Sequence, residues 1–452
     1  MLKKVGFIFI VLIFLLVSCR KQKVSNSETS LPGKSSAESS QTESGSSSDN
    51  KETFTDEALD KLDKETLSVK KYGAAGDGKT DDSDAIIDAL KKVQGPVYFP
   101  KGDYVLKKPI TIISNNSGIF GEKDAEGKPL ANLLVTCEET TVTAKGKNNL
   151  VINGINFNKT FVDNSVAYAV NISNGKQISI KNCEISGYSA RGGIHIGYSD
   201  TFEISNNYIH DFSASAIGIL SDGEQVDSLA IAFRNSKNGK ILNNTIKNIL
   251  IKDPLMSANN YQSDGITTFQ SDNIHIEGNY VYNAGEGIDV SMSTNVMVYK
   301  NTFEHCNHFG MKMVHGTKNS VFDSNTVIGA AMNGVSIEPG HATSGVTRDN
   351  KIINNTIKNT GSHNPWGDKE FNRAGIVLGG NPIFVDGILK NGVTNNLIEN
   401  NTILDENDVF STKYGVFERE VAFGNIIRNN NIGDYIPNEI VINTFDPNQA
   451  EN

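Results

Sequence analysis

The chain has 452 residues and a formal net charge of −10, with 52 acidic against 42 basic side chains. That balance argues against nucleic acid or an anionic lipid surface as the main partner. Acidic glycans, which need only local positive charge, stay open. The stretch from about Leu67 to Asn452 is long for a single compact core, so an architecture that grows in one dimension is expected.

Lys3 and Lys4 precede an apolar run, Val5 to Val17, that is short for a bilayer span and reads as a signal peptide over residues 1–18. The run ends in Leu16-Val-Ser-Cys19, which resembles the bacterial lipobox. The resemblance implies cleavage before Cys19, lipidation of that residue and a lipid-anchored place on the extracytoplasmic face of the cell membrane. From Arg20 the chain is rich in Ser, Glu, Thr and Lys without apolar periodicity, so residues 19–65 are expected to be a disordered tether. A tethered body, residues 66–452, is expected to be a monomer. With Cys19 lipidated, Cys137, Cys183 and Cys306 remain; an odd number without a close pair or CxxC spacing suggests neither disulfides nor zinc.

The body opens with Val69, expected to begin a strand, and runs into the glycine turn Tyr72-Gly-Ala-Ala-Gly-Asp-Gly-Lys-Thr-Asp-Asp82. A helix is expected from about Asp81–Ser83, with acids at its start and Ala85, Ile86, Ala89 and Leu90 on one face. Gly95 to Leu106 then makes a first coil, closed off by the helix as a cap.

One hexad then recurs: apolar, x, x, Asn, x, apolar. Its Asn positions are Asn207, Asn244, Asn279, Asn301, Asn325, Asn355, Asn401 and Asn430, preceded by two degenerate copies with Ile155 and Cys183 in the slot. The Asn is expected to take a left-handed bend and to bond its counterparts above and below. Between hexads stands Gly-apolar-x-apolar, as in Gly193-Ile-His-Ile, Gly287-Ile-Asp-Val and Gly310-Met-Lys-Met. From Gly265 the steps to Gly287, Gly310 and Gly334 are 22, 23 and 24 residues, one coil of a parallel β-helix each. The longer steps to Gly375 and Gly415 require inserted loops or an extra coil.

The opening turn and helix, with Val97-Tyr-Phe-Pro-Lys-Gly-Asp-Tyr104 and the late strand Lys413-Tyr-Gly-Val-Phe-Glu418, resemble the pectate-lyase-3-like superfamily of pectin-lyase-like β-helices. That superfamily holds polygalacturonase-like hydrolases, mannuronan C5-epimerases, rhamnogalacturonan-active enzymes and tail-spike depolymerases. The resemblance implies an all-β fold, a right-handed parallel β-helix with an N-terminal capping helix, acting on long polysaccharides. The strand Glu286-Gly-Ile-Asp289-Val-Ser291 is similar to the epimerases' Tyr-Gly-Phe-Asp-Pro-His, keeping the Gly and the Asp. Met313-Val-His-Gly316 is similar to the Arg-His-Gly of chondroitinase-B-like lyases, with Met313 in place of Arg.

If the apolar residues after each glycine point inward, the residue between them points out, giving the column His195, Thr267, Asp289, Lys312, Ser336. Asp289 and Lys312 are then neighbours on an exposed face. Asp264 and Glu286 precede the glycines, Glu338 follows on the next coil, and His305, His308 and His315 lie in the adjoining turns. Two chemistries suit this set. In β-elimination or epimerisation, Lys312 is base or stabilising cation, His308 or His305 a second proton carrier, and Asp264, Glu286 and Asp289 could hold a Ca²⁺ that bridges the substrate carboxylate. In glycoside hydrolysis the same three acids offer the carboxylate pair. His315 and Glu338 extend the surface, and the loop Ser362–Arg373 adds Trp366 and Arg373 for stacking on a sugar ring. The alternative to an enzyme is a glycan-binding or adhesive surface protein, with the acids and Lys312 as isolated ladder pairs.

Overall fold

The computed structural model describes residues 54–160, 166–214, 228–251, 263–362, 372–407 and 410–442. All fall in one unit, Thr53–Gly218 with Val226–Asn452. The signal peptide, Cys19, nearly all of the expected tether and Trp366 lie outside the described residues.

Each coil contributes three short strands, and each strand pairs in parallel with its equivalents on the coils before and after. Three sheets of 13, 12 and 12 strands result, a right-handed parallel β-helix. The alternation seen in the glycine motif builds its interior. Ile266, Ile288, Met311, Val335 and Ile376 stand in register on successive coils, each fully buried. Burial at such positions contributes roughly 1.5–3 kcal/mol per side chain. The glycines let coils approach: a Cβ on Gly287 would stand 2.4 Å from the Gly310 carbonyl oxygen and 2.5 Å from the Phe303 ring.

The asparagine ladder runs unbroken from Asn207 to Asn430, each amide donating to the side-chain oxygen of the next at 2.9–3.0 Å. The left-handed residue is not the ladder Asn, as expected, but the one before it: Asn206, Asn243, Gly278, Lys300, Ser324, Asn354, Asn400 and Asn429 have φ between 52° and 68°. The ladder residue must aim its amide inward along the stack, so the bend falls one position earlier. Cys183 takes the Asn slot as a buried small residue, its N–H donating to Asn207 Oδ1. The long glycine steps are inserted loops: strand Val335–Ile337 pairs directly with Ala374–Leu378, and that with Tyr414–Glu418.

The cap forms as Ser83–Lys92, burying Ile86, Ala89 and Leu90. Asp82 does not cap it through its side chain; its carboxylate instead accepts from Ala75 N at 2.6 Å and Val105 N at 3.2 Å, tying the glycine turn to the first coil. Val69–Tyr72 is a 3-10 helix rather than a strand, because the Ser68 hydroxyl accepts from Lys70 N and starts a turn. The expected tether also ends earlier than residue 65. A helix, Asp56–Asp60, lays Leu59 on Tyr98, Phe120 and Val151, and Asp56 bonds Lys123 at 2.6 Å and Asn153 at 2.9 Å.

Candidate functional site

The predicted column is present on one sheet: His195, Ala232, Thr267, Asp289, Lys312 and Ser336 are in register on successive strands. Ala232 is an addition, because its coil reads Ala230-Ile-Ala-Phe and lacks the glycine that marks the others. Asp264 and Glu286 precede the glycines of adjacent coils and come in beside the column.

These groups are not on a solvated face. Glu286 and Asp264 are 0% and 1% exposed, Asp289 and Lys312 both 8%. The turns that precede the strands account for the difference. His308, itself buried, donates from Nδ1 to Glu286 Oε1 at 2.9 Å and stacks on Phe309, filling the flank of the cluster. The Lys312 ammonium stands 3.1 Å from both Glu286 oxygens and 3.3 Å from Asp289 Oδ2. Thr267 Oγ1 donates to Asp264 Oδ2 at 2.8 Å. Asp264 Oδ1 and Asp289 Oδ1 are buried and accept no hydrogen bond among the described residues, an expensive arrangement unless a ligand completes it.

Protonation states follow from burial and crowding. Burial, then Glu286 and Asp289, raise Asp264 well above the usual carboxylate range. Burial raises Asp289 to about 7, with Lys312 opposing and Glu286 adding. Burial raises Glu286 too, against the pull of Lys312. Burial alone would lower Lys312, but Asp289 and Glu286 outweigh it and hold the ammonium well above its ordinary range. Burial and then Lys312 push His308 down to about 3 and His315 to about 4, so both are neutral. Lys312 is thus a fixed cation rather than a base, and His308 a neutral prop for Glu286.

Asp264, Glu286 and Asp289 bring an oxygen each to within 4.8 Å of one another, close enough to share a cation. The cation beside two of them is the Lys312 ammonium. Calcium takes about six to eight oxygen ligands, and Lys312 stands against Glu286 and Asp289, so the residues fit a lysine–carboxylate cluster better than a calcium cage.

The cluster opens on a groove of about 420 Å³ along the sheet, lined by Asp264, Asp289, Lys312 and His315 at one end and by Tyr168, Arg191, His195 and Arg234 at the other. His315, bonded to Ser291 at 2.9 Å and stacked on His341, also borders a second cavity of about 720 Å³ that includes Glu338 and Arg419. His315 therefore borders both the groove and this second cavity, whereas Glu338 lines the second cavity and not the groove. His305 borders neither: it is exposed beyond strand Thr302–Glu304, edge-on to Tyr282, where the coil turns outward before the site. Arg373 sits beside Gly361 ahead of strand Ala374–Leu378 and lines neither cavity. Arg191 and Arg234 were missed, since neither lies in a glycine-marked x position.

A family model described as rhamnogalacturonase A/epimerase, pectate lyase-like, matches residues 66–312, and one for the right-handed β-helix region matches residues 229–432. The preneck appendage protein of Bacillus phage PZA is 28% identical over 234 residues, 49% of this chain and 23% of the phage protein, so the chain spans under a quarter of that relative's length. Among solved structures, the A-module of a mannuronan C-5 epimerase from Azotobacter vinelandii aligns with a TM-score of 0.54 at 15% identity, over 83% of this chain and 99% of that one. A surface protein and adhesin of Streptococcus pneumoniae aligns with a TM-score of 0.50 at 16% identity, over 83% and 99%. At these identities the alignments show the fold.

Proposed function

The chain belongs to the rhamnogalacturonase A/epimerase, pectate lyase-like family, and from that premise we propose that it is a carbohydrate-active protein that hydrolyses an acidic polysaccharide lying in the sheet groove. One observation carries the reading: two buried carboxyls, Asp264 and Asp289, each hold an unclaimed oxygen at the groove floor beside the fixed Lys312 cation. Asp264, kept protonated, gives its proton to the leaving glycosidic oxygen as the bond to the anomeric carbon breaks. With oxygens of the two acids within 4.8 Å of each other, Asp289, once ionised, bonds that carbon as nucleophile; water then displaces Asp289 from it, giving its proton back to Asp264. Lys312 opposes the burial that raises Glu286 and Asp289 and pairs with negative charge on the substrate. The β-elimination and epimerisation readings need a stronger base than this cluster supplies, with Lys312 cationic and both nearby histidines weakly basic.

The protein carrying this site is proposed to be a monomer tethered through a lipid on Cys19 to the extracytoplasmic face of the membrane. Its body, assayed on alginate, polygalacturonate, rhamnogalacturonan and glycosaminoglycans, should release reducing ends without the ultraviolet absorbance of an unsaturated product. Activity should climb as the pH rises through about 7, where Asp289 ionises, and chelation should leave it unchanged. Asp264→Asn and Asp289→Asn should abolish it. Lys312→Ala should abolish it too, and should also cost about 3–5 kcal/mol of stability by stranding buried acids. An absorbance rise would move the reading to a lyase. Silence on every substrate with binding retained would move it to the adhesive alternative.

A further inference from the structure

Beyond the acid cluster, the far end of the same groove has a charge that the rest of the molecule does not lead one to expect. Arg191 and Arg234 both line it, in a chain of net charge −10. Arg234 is exposed, its guanidinium 4.7 Å from the centre of the Phe269 ring, and it pairs with no carboxylate among the described residues. Its guanidinium therefore rests against an aromatic face and stays exposed to solvent, and a planar cation of this kind suits bidentate recognition of a carboxylate.

The neighbouring side chains complete the surface. Tyr168 stacks on His195 with centroids 5.0 Å apart, and His195 Nδ1 is 2.9 Å from Asn171 Oδ1. Burial first, then the charge of Arg234 and Arg191, push His195 down to about 4, so it adds no charge of its own. Tyr198 is exposed on the rim. Ala232, in register between His195 and Thr267, leaves the floor low on the coil that carries Arg234.

Register fixes where this patch lies relative to the chemistry. Arg234 is in line with Phe269 and Ser291, two strands from the strand of Asp289, and the strand of Arg191 and His195 is one further. At about 4.8 Å per strand these are roughly 10 and 14 Å along the helix axis. A polysaccharide crossing the strands through Asp289 would pass directly between the two arginines.

We propose that Arg191 and Arg234 form a subsite for the carboxylate of a uronate residue, two to three strands on the N-terminal side of Asp289, which orients the chain in the groove and selects charged over neutral glycans. This rests on the reading of the groove as a polysaccharide site and adds to it where a carboxylate of the substrate is held and which way the chain runs.

The test is binding of alginate and polygalacturonate oligosaccharides, each as such and after reduction of the carboxyls to neutral alcohols, to the protein carrying Asp289→Asn so that no substrate is consumed. The parent should bind at least one charged series, weakening with salt, and its reduced form roughly 10-fold less well. Arg234→Ala in that background should erase the preference, and Arg234→Lys should restore part of it, since the charge returns without the planar fork. Equal binding of charged and reduced forms, or a preference that survives Arg234→Ala, would overturn the subsite while the polysaccharide reading stands. Binding of neither form would overturn both.

Discussion

Asp289 is the residue on which the site's chemistry and its stability meet. Its carboxyl sits at about 7 in the folded protein against 3.8 for the free group, chiefly through burial. Between those values the folded chain holds a proton that the unfolded chain has lost. Stability contributed by the protonated form is therefore present at about pH 4 and is lost as the pH rises to about 7, a change of roughly 4 kcal/mol. Asn has the shape of the neutral acid and no such titration. Asp289→Asn should accordingly melt above the wild type at about pH 8, with the difference shrinking towards pH 4. Thermal melts across that range check it, and a difference that stays constant with pH would mean that Lys312 already fully compensates the carboxylate. Asp264, further raised and within reach of the same ammonium's field, is left as the proton donor because no cation among the described residues contacts it directly.

Among the elements, the asparagine ladder makes the sharpest energetic statement. Asn301 donates to Ile276 O at 2.9 Å and Asn325 Oδ1 at 3.0 Å, and its own oxygen accepts both the backbone and the side-chain N–H of Asn279. Asn301→Ala removes the donor and strands two buried donors of Asn279, for a loss of about 2–4 kcal/mol. Asn430→Ala, at the last rung and only part-buried, should cost clearly less. Urea midpoints of the two variants test the gradient, and equal losses would show that the rungs do not depend on their neighbours. The ladder and the glycine strands were legible in the sequence because each coil repeats the same packing problem. What repetition could not show was which residue bends: any of Asn, Gly, Lys or Ser takes the left-handed position, so only the slot facing the stack is constrained. The acids and Lys312 were legible as a column, since register follows from spacing. Their burial was not, because it depends on turns such as that of His308 whose path has no period. Arg191 and Arg234 escaped notice for the same reason, on coils where the glycine pattern shifts or lapses.

For the molecule as a whole, composition places the start of the folded body too late. Phe54, Leu59 and Leu62 pack against Tyr98 and Phe120, but in sequence they are three apolar residues in a polar tract, too few to signal a folded segment. The body therefore already includes Phe54, some 35 residues after Cys19. If Cys19 bears the anchor, Cys19→Ser should move the protein from the membrane fraction to the soluble one and abolish its labelling by a fatty-acid analogue. The soluble variant's turnover of dissolved polysaccharide should not change, because the groove lies in the body and no described residue of it depends on the tether. A variant that stays with the membrane would show that the apolar run Val5–Val17 is retained as the anchor instead. The substitution thus separates lipid from peptide as the means of attachment, leaving the chemistry of Asp264, Asp289 and Lys312 as its internal control.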